Sequence, residues 1–455
     1  MSLFVEALQQ NLSRHPPATR YWIAYSGGLD SQVLLHLCAK LKDSHPDLQF
    51  AAVHIHHGLQ AAADEWAETC EATSRLLGIP FQLLRVKAMP KPGESPEEAA
   101  RNARYEALRA LLSESEALLT AQHRDDQAET LLLQLFRGAG IDGLAAMPEY
   151  TAFGPGFLLR PLLSFSRTQL REYAEEHGLA WIEDPSNRDL SYDRNFIRHE
   201  VLPLLEKRWP AVKDTLARTA KHCAEAQTQL NALAADLLKT VIQPKRGTLL
   251  LNPLRACSVP DRRLILREWL RSRGFRRPST RVIDRVLNEA LDAKPDRNPA
   301  IRWNEGEIRR YREELYLMPI IPPFHPDKII PWDGVATLHL PDQNGALSAS
   351  LEKRAGISLA AWRSGTITVR YRQGGESLRL PGRKGSHDLK KLFQEAGIPP
   401  WIRERTPLIY IGDELAAVAG WWVSAGFAGE PNDCNIVIRW HAPDGFAGAW
   451  LSIKD

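Results

Sequence analysis

Tyr21-Trp22-Ile23-Ala24-Tyr25-Ser26-Gly27-Gly28-Leu29-Asp30-Ser31 decides how the first part of this chain is read. Tyr21 to Tyr25 is a short run of strand character, and Asp30 to Lys42 carries a helical apolar period (Val33, Leu34, Leu37, Leu41). Between them lies a turn with two adjacent glycines. Gly27 and Gly28 let the backbone approach an anion closely, and the helix that follows offers unpaired N–H groups and the positive end of its dipole. The Ser26 and Ser31 hydroxyls can donate to phosphate oxygens, and Asp30 can hold the Mg²⁺ that accompanies a triphosphate. A turn that merely joins strand to helix would share the glycines. The position directly after the first strand, with the complete S-G-G-x-D-S string, favours the phosphate reading.

Outward from the loop, strand and helix signals keep alternating. Phe50 to Ile55 reads as a strand, Ala62 to Leu77 as a helix and Phe81 to Val86 as a third strand. Pro96 to Leu112 is a long helix with proline at its first turn, Ala117 to Ala121 a fourth strand and Asp125 to Phe136 a fourth helix. Leu158 to Leu163, a helix near Arg167 to His177 and Trp181-Ile182 extend the unit. The expectation is an α/β domain over residues 1–205, built on a doubly wound parallel sheet. Past Leu205 the periodicity is helical (Val212 to Leu238, Asp261 to Arg273), which predicts a helical domain at 206–318. Five prolines in the fifteen residues Met318 to Trp332 exclude a helix and predict an extended linker at 319–334. Short strand signals beyond it predict a small α+β domain at 335–455.

A chain of 455 residues suits about three domains of ~150 residues. No apolar run approaches the ~20 residues needed to span a bilayer, and the N-terminus lacks a signal pattern, so a cytoplasmic protein without membrane contact is expected. Cys38, Cys70, Cys223, Cys257 and Cys434 form no C-x-x-C pair and fit neither a disulfide framework nor a zinc site. Residues 1–200 hold 19 basic and 27 acidic residues, 201–300 hold 20 and 10, and 351–400 hold 10 and 4. An acidic catalytic module with two basic, polyanion-binding appendages would give this distribution. A solvated basic face would give it too.

The S-G-G-x-D-S string resembles the PP-loop of the ATP-pyrophosphatase superfamily (adenine nucleotide alpha hydrolase-like), not the Lys-bearing loop of kinases. That resemblance implies attack at the α-phosphorus of ATP with pyrophosphate leaving. Further strings narrow the substrate: His54-Ile55-His56-His57-Gly58-Leu59, Ala100-Arg101-Asn102-Ala103-Arg104-Tyr105, His123-Arg124-Asp125-Asp126-Gln127-Ala128-Glu129-Thr130, Arg160-Pro161-Leu162, Glu183-Asp184-Pro185-Ser186-Asn187 and Tyr192-Asp193-Arg194-Asn195-Phe196-Ile197-Arg198. In this order they resemble the tRNA(Ile)-lysidine synthetases, as does the G-R-K string at Gly382 to Phe393. The resemblance implies that the C2 oxygen of the wobble cytidine of a CAU-anticodon isoleucine tRNA is adenylated. Free L-lysine then displaces AMP to give lysidine, which changes codon reading from AUG to AUA. It further implies tRNA contact by Arg383, Lys384, Lys390 and Lys391.

Residues just past the carboxyl ends of parallel strands converge on one crevice, and His56, His57, Asp125 and Asp126 sit at such ends. Arg101 and Arg104 share a helix face and could grip triphosphate oxygens. Asp126 or His123 could take the proton from lysine, whose amine has a pKa of about 10.4 in water. Carboxylates in a first helical turn also serve as caps, so Asp125, Asp126 and Glu129 have a structural reading as well. Asp184, Asn187, Arg194 and Arg198 could bind substrate or form an internal polar network. A homodimer is compatible with the sequence. A tRNA thiolase would use cysteine pairs that are absent, a small-molecule ligase would not need two basic blocks, and a non-catalytic RNA binder would not need the acidic and arginine strings.

Overall fold

The structure, a computed structural model, describes residues 3–56, 63–86, 96–276, 278–293 and 299–443. Helix α1 (Leu3–Ser13) precedes β1 (Arg20–Ala24), α2 (Leu29–Ser44), β2 (Phe50–His56), α3 (Ala63–Leu76), β3 (Phe81–Arg85), α4 (Pro96–Leu111), β4 (Glu116–Leu119), α5 (Arg124–Phe136) and α6 (Ile141–Leu144). A hairpin of β5 (Tyr150–Phe153) and β6 (Gly156–Leu159) leads to α7 (Arg167–Glu176), then to α8 (Asp193–Phe196), α9 (Leu202–Arg208) and the 30-residue α10 (Val212–Val241). The sheet order is β3-β2-β1-β4-β6-β5, parallel except where β5 runs against β6. The chain winds outward from β1 through β2 to β3, then returns to place β4 on the other side of β1. The carboxyl ends of β1 and β4 therefore flank the switch point, where open α/β sheets bind ligands.

Alternate residues of each strand feed two cores. Ile23, Leu119 and Leu159 pack with Leu8 of α1, Leu34, Leu37 and Leu41 of α2, and Leu170 and Tyr173 of α7. Their neighbours Trp22, Leu118 and Leu158 pack on the other face with Leu108 and Leu112. α2 is buried on most sides, from Leu29 to Leu41. That burial fixes the helix whose N-terminus faces the phosphate loop.

A first compact unit runs from Met1 to Gln229 and so takes in the start of α10. The cause is local packing: Leu216 of α10 joins Ala128, Leu132, Ile197 and Leu202 in a small apolar cluster, so the first turns of α10 belong with α5.

The second unit begins at Leu230. Helices Leu251–Ala256, Val259–Ser272 and Thr280–Arg285 answer the helical signal. They are accompanied by a five-stranded antiparallel sheet that includes Thr248–Leu250, Ala300–Trp303, Gly306–Tyr311 and Glu314–Met318. Alternation in Gly306–Tyr311 is hidden in the sequence because Glu307 and Arg310 are both buried. Glu307 pairs with Arg302 and Arg309, each at 2.8 Å, while Arg310 donates to the Ala290 and Leu291 carbonyls. The proline-rich segment is extended, yet it is pinned rather than loose. Ile330–Trp332 pairs with Ile367–Val369, and Phe324 packs edge-on to Tyr371 at 4.7 Å. Antiparallel strands and the helix Leu389–Glu395 complete the unit. Among the described residues no helix is long and apolar enough to cross a membrane.

A fragment ending at Gln229 should therefore outlast one ending at Leu205. Removing Leu216 from its apolar cluster, together with the first turn of α10, costs about 1–3 kcal/mol, read as a fall of roughly 2–10 °C in Tm for a unit of this size. Equal thermal melts for the two fragments would contradict this boundary.

Candidate active site

Gly27 adopts φ of +83°, and its carbonyl accepts the Ile182 N–H at 2.9 Å. A Cβ there would lie 2.7 Å from Ile182 Cδ1 and 2.8 Å from Cys70 Sγ. Glycine is thus required by both conformation and space. Gly28 differs: it is extended at φ −73°, and a Cβ would meet nothing closer than its neighbour Ser26 Oγ at 3.6 Å. Ser31 Oγ donates to the Gly28 carbonyl at 2.9 Å and accepts from the Ser26 N–H at 3.2 Å, so this hydroxyl braces the loop from within. Ser26 Oγ lies 3.0 Å from Ser31 Oγ. Leu29, buried, starts α2, and Asp30 follows in its first turn.

Across the switch point, His123 caps α5. Its Nδ1 accepts the Asp126 N–H at 3.4 Å, and the Asp126 carboxylate accepts the His123 N–H at 3.0 Å. The same imidazole turns Nε2 to Asp30 Oδ2 at 3.5 Å, joining the two helix N-termini. Burial alone would lower the pKa of His123; the Asp30 hydrogen bond and the Asp126, Asp30 and Asp125 charges outweigh it and hold it above its usual value. Asp30 Oδ1 is buried with no hydrogen-bond partner.

Asp126 and Glu129 meet two arginines from the segment after α7. Asp126 Oδ1 accepts Arg194 at 2.9 Å and Arg198 at 3.1 Å, while Glu129 takes Arg194 Nε at 2.8 Å and Arg198 Nε at 2.6 Å. Burial would raise the pKa of Asp126, but His123, Arg194 and Arg198 together hold it below its ordinary value. His123, only 1% exposed, has both ring nitrogens turned to carboxylates or the Asp126 amide. Asp125 has both oxygens engaged, by Lys213 Nζ at 2.8 Å and the Arg167 N–H at 3.1 Å. It ties helices together, and its pKa is lowered because Lys213 and that backbone bond outweigh its burial.

Arg101 and Arg104 lie exposed on α4, with the Arg101 guanidinium over the Tyr105 ring. Burial holds the pKa of His54 below its usual value against the opposing bond to the Tyr25 carbonyl, and the His56 and Arg104 charges add to the depression. His56 is buried with Nε2 3.2 Å from Asp64, and His57 lies outside the described residues. Asp184 caps a short turn by accepting the Ser186 N–H at 2.9 Å; Asn187 is exposed there, its carbonyl accepting from His199. Sequence reading missed Cys70 and the packing role of Ile182 beneath Gly27, and Lys213 beside Asp125. None of the three carries a local signal.

The two basic blocks differ. Arg262 donates to the Leu254, Cys257 and Arg255 carbonyls, Arg263 pairs with Asp284, Arg271 with Glu268 and Arg276 with Glu305. That helix face is largely committed internally. Lys384, Lys390 and Lys391 are exposed, and none of them forms an ion pair with a described residue, while Arg383 reaches Glu395 at 3.2 Å. All five cysteines are free thiols, Cys38 and Cys70 buried and Cys434 exposed.

The phosphate loop at the switch point, facing a capped acidic helix, defines a PP-loop enzyme that uses ATP, and a PP-loop domain model matches residues 2–205. Models described as TilS substrate binding domain and TilS substrate C-terminal domain match 249–316 and 367–440. A tRNA(Ile)-lysidine synthase of Methylococcus capsulatus is 47% identical over 97% of this chain and 100% of its own length, and one of Coxiella burnetii is 44% identical over 92% and 93%. The chain belongs to the tRNA(Ile)-lysidine synthase family. A U34-tRNA thiolase from Methanococcus maripaludis aligns at a TM-score of 0.41 and 16% identity over 49% of this chain and 80% of its own, too distant to bear on function.

The two glycines make separable predictions. Gly27→Ala should cost about 2 kcal/mol or more through strain and overlap, seen as a fall in Tm of roughly 4–8 °C. Gly28→Val should melt like the wild type yet lose ATP binding by calorimetry. If Gly28→Val still bound ATP normally, the open face of the loop would not be the phosphate cradle.

Proposed function

We propose that this chain adenylates the C2 oxygen of the wobble cytidine in a CAU-anticodon isoleucine tRNA and then joins L-lysine to C2, releasing AMP. The observation that carries the chemistry is the open Gly28 face at the N-terminus of α2, with Asp30 and the His123-capped turn of α5 beside it. In the first step the cytidine oxygen bonds to the α-phosphorus as the bond to the β-phosphate oxygen breaks. Loop N–H groups and the α2 dipole would hold the charge gathering on pyrophosphate. Arg101 and Arg104 would orient the triphosphate. In the second step the lysine amine, having lost a proton, bonds to C2 and AMP leaves with the oxygen. Arg194 and Arg198 neutralise Asp126 and Glu129 and would keep that wall of the site rigid. Asp184 and Asn187 lie on the turn that follows Ile182, the residue bonded to the loop.

Mg²⁺ fits Asp30 in part. Its Oδ1 is a buried acceptor without a donor, and no group of three ligating side chains forms among the described residues. Mg²⁺ commonly takes one or two carboxylates and completes its shell with phosphate oxygens and water, neutralising the triphosphate. Asp30 would be the protein's ligand.

Incubation with tRNA, labelled lysine and ATP tests the reading: label should enter tRNA, with AMP and pyrophosphate formed in step with it. ADP and orthophosphate as products would refute it. Asp30→Asn should slow pyrophosphate release by about 100-fold or more and raise the Mg²⁺ concentration required, with the melting temperature little changed. An unchanged Mg²⁺ requirement would remove Asp30 from the metal site.

The C-terminal cluster would bind tRNA phosphates. Neutralising Arg383, Lys384, Lys390 and Lys391 should flatten the salt dependence of tRNA affinity, by about 0.9 log unit of slope for each duplex phosphate no longer neutralised. ATP binding should not change. Superimposable filter-binding curves across a salt series would place the tRNA elsewhere.

A further inference from the structure

The catalytic turn of α5 is gripped by residues outside every string that marks the site. Arg124 and Asp125 open α5; Lys213 and Asp214 are the second and third residues of α10. Arg124 Nη1 lies 2.5 Å from Asp214 Oδ1, and Lys213 Nζ lies 2.8 Å from Asp125 Oδ2, so each cation meets the other helix's carboxylate. Lys213 also reaches Glu206 of α9 at 3.0 Å. Arg124 donates to Gln169 at 3.0 Å and Asp125 accepts the Arg167 N–H, which brings α7 into the same grip.

Both cations stand in first helical turns, where the macrodipole disfavours positive charge. Helix propensity therefore does not account for them, whereas crossed pairing does. Asp125 is 7% exposed, so its charge sits where solvent screens little. The consequence lies one residue away on each side. His123 and Asp126 share this turn, and they face Asp30, Arg194 and Arg198.

We propose that Lys213 and Asp214 are positioning residues for adenylation: the crossed ion pairs set the orientation of the first turn of α5, and with it His123 and Asp126 against the phosphate loop. Neither residue touches a reacting atom. The inference rests on the adenylation reading above, and the test separates the two.

The measurement is tRNA-dependent pyrophosphate release by the full chain, with kcat and the KM for ATP determined separately and a melting curve for each variant. Wild-type protein that releases no pyrophosphate would refute the adenylation reading itself, and this inference with it. With wild-type activity in hand, Lys213→Met should lower kcat about 10- to 100-fold, since small misplacements of a catalytic group cost that much, while KM for ATP moves less than about threefold. Lys213→Arg, which keeps the charge, should restore most of the rate. Arg124→Asp and Asp214→Arg should each be slow, and the double exchange should recover about tenfold over the slower single variant. Wild-type kcat in Lys213→Met would overturn the proposal. So would kcat and KM worsening together with a large loss of Tm, or a double exchange no faster than its parents.

Discussion

Beneath the phosphate loop there is room for a hydrogen and nothing more. Ile182 Cδ1 and Cys70 Sγ close to within 2.8 Å of where a Cβ on Gly27 would sit, while the Ile182 N–H holds the Gly27 carbonyl. This contact gathers three parts of the chain: the end of β1, the buried side of α3 and the segment after α7. With Gly27 seated, Gly28 turns its bare face outward and α2 starts at Leu29, so Asp30 reaches the switch point. The Ser31 hydroxyl then locks the turn from inside. A ligand meets a loop already shaped, which spares binding the cost of ordering it.

Charge on the opposite wall obeys a stricter rule. Asp126 and Glu129 are 9% and 1% exposed, and unpaired carboxylates at such depth would cost several kcal/mol each. Arg194 and Arg198 satisfy both. The pairing explains how two acidic residues can stand buried beside the phosphate loop. His123 links the walls, since one ring caps α5 and faces Asp30. Its raised pKa and the lowered pKa of Asp126 share a cause, the mutual attraction of a buried imidazole and buried carboxylate.

The basic blocks show how little composition says about use. The arginines around Val259–Ser272 spend their donors on helix-end carbonyls and on Asp284, Glu268 and Glu305. Those on and before Leu389–Glu395 include three lysines with no such partner among the described residues. A guanidinium with five donors is suited to bracing backbone, whereas an exposed ammonium is suited to a phosphate.

Periodicity and punctuation determined much from the sequence alone. The order of β1 to β4 and α2 to α5, the place of the loop and the acidic helix, and the family were legible because each depends on residues adjacent in the chain. The strand Gly306–Tyr311 was not, since buried Glu307 and Arg310 erase its alternation. Nor was the packing of the start of α10 against α5, which rests on Leu216, Lys213 and Asp214. The partners of Asp125, Asp126 and Ser31 also had to await the fold. A motif shows which groups arrive at a crevice. Which donors and acceptors they spend on one another is decided by side chains dozens of residues apart, and a string of sequence carries no record of that distance.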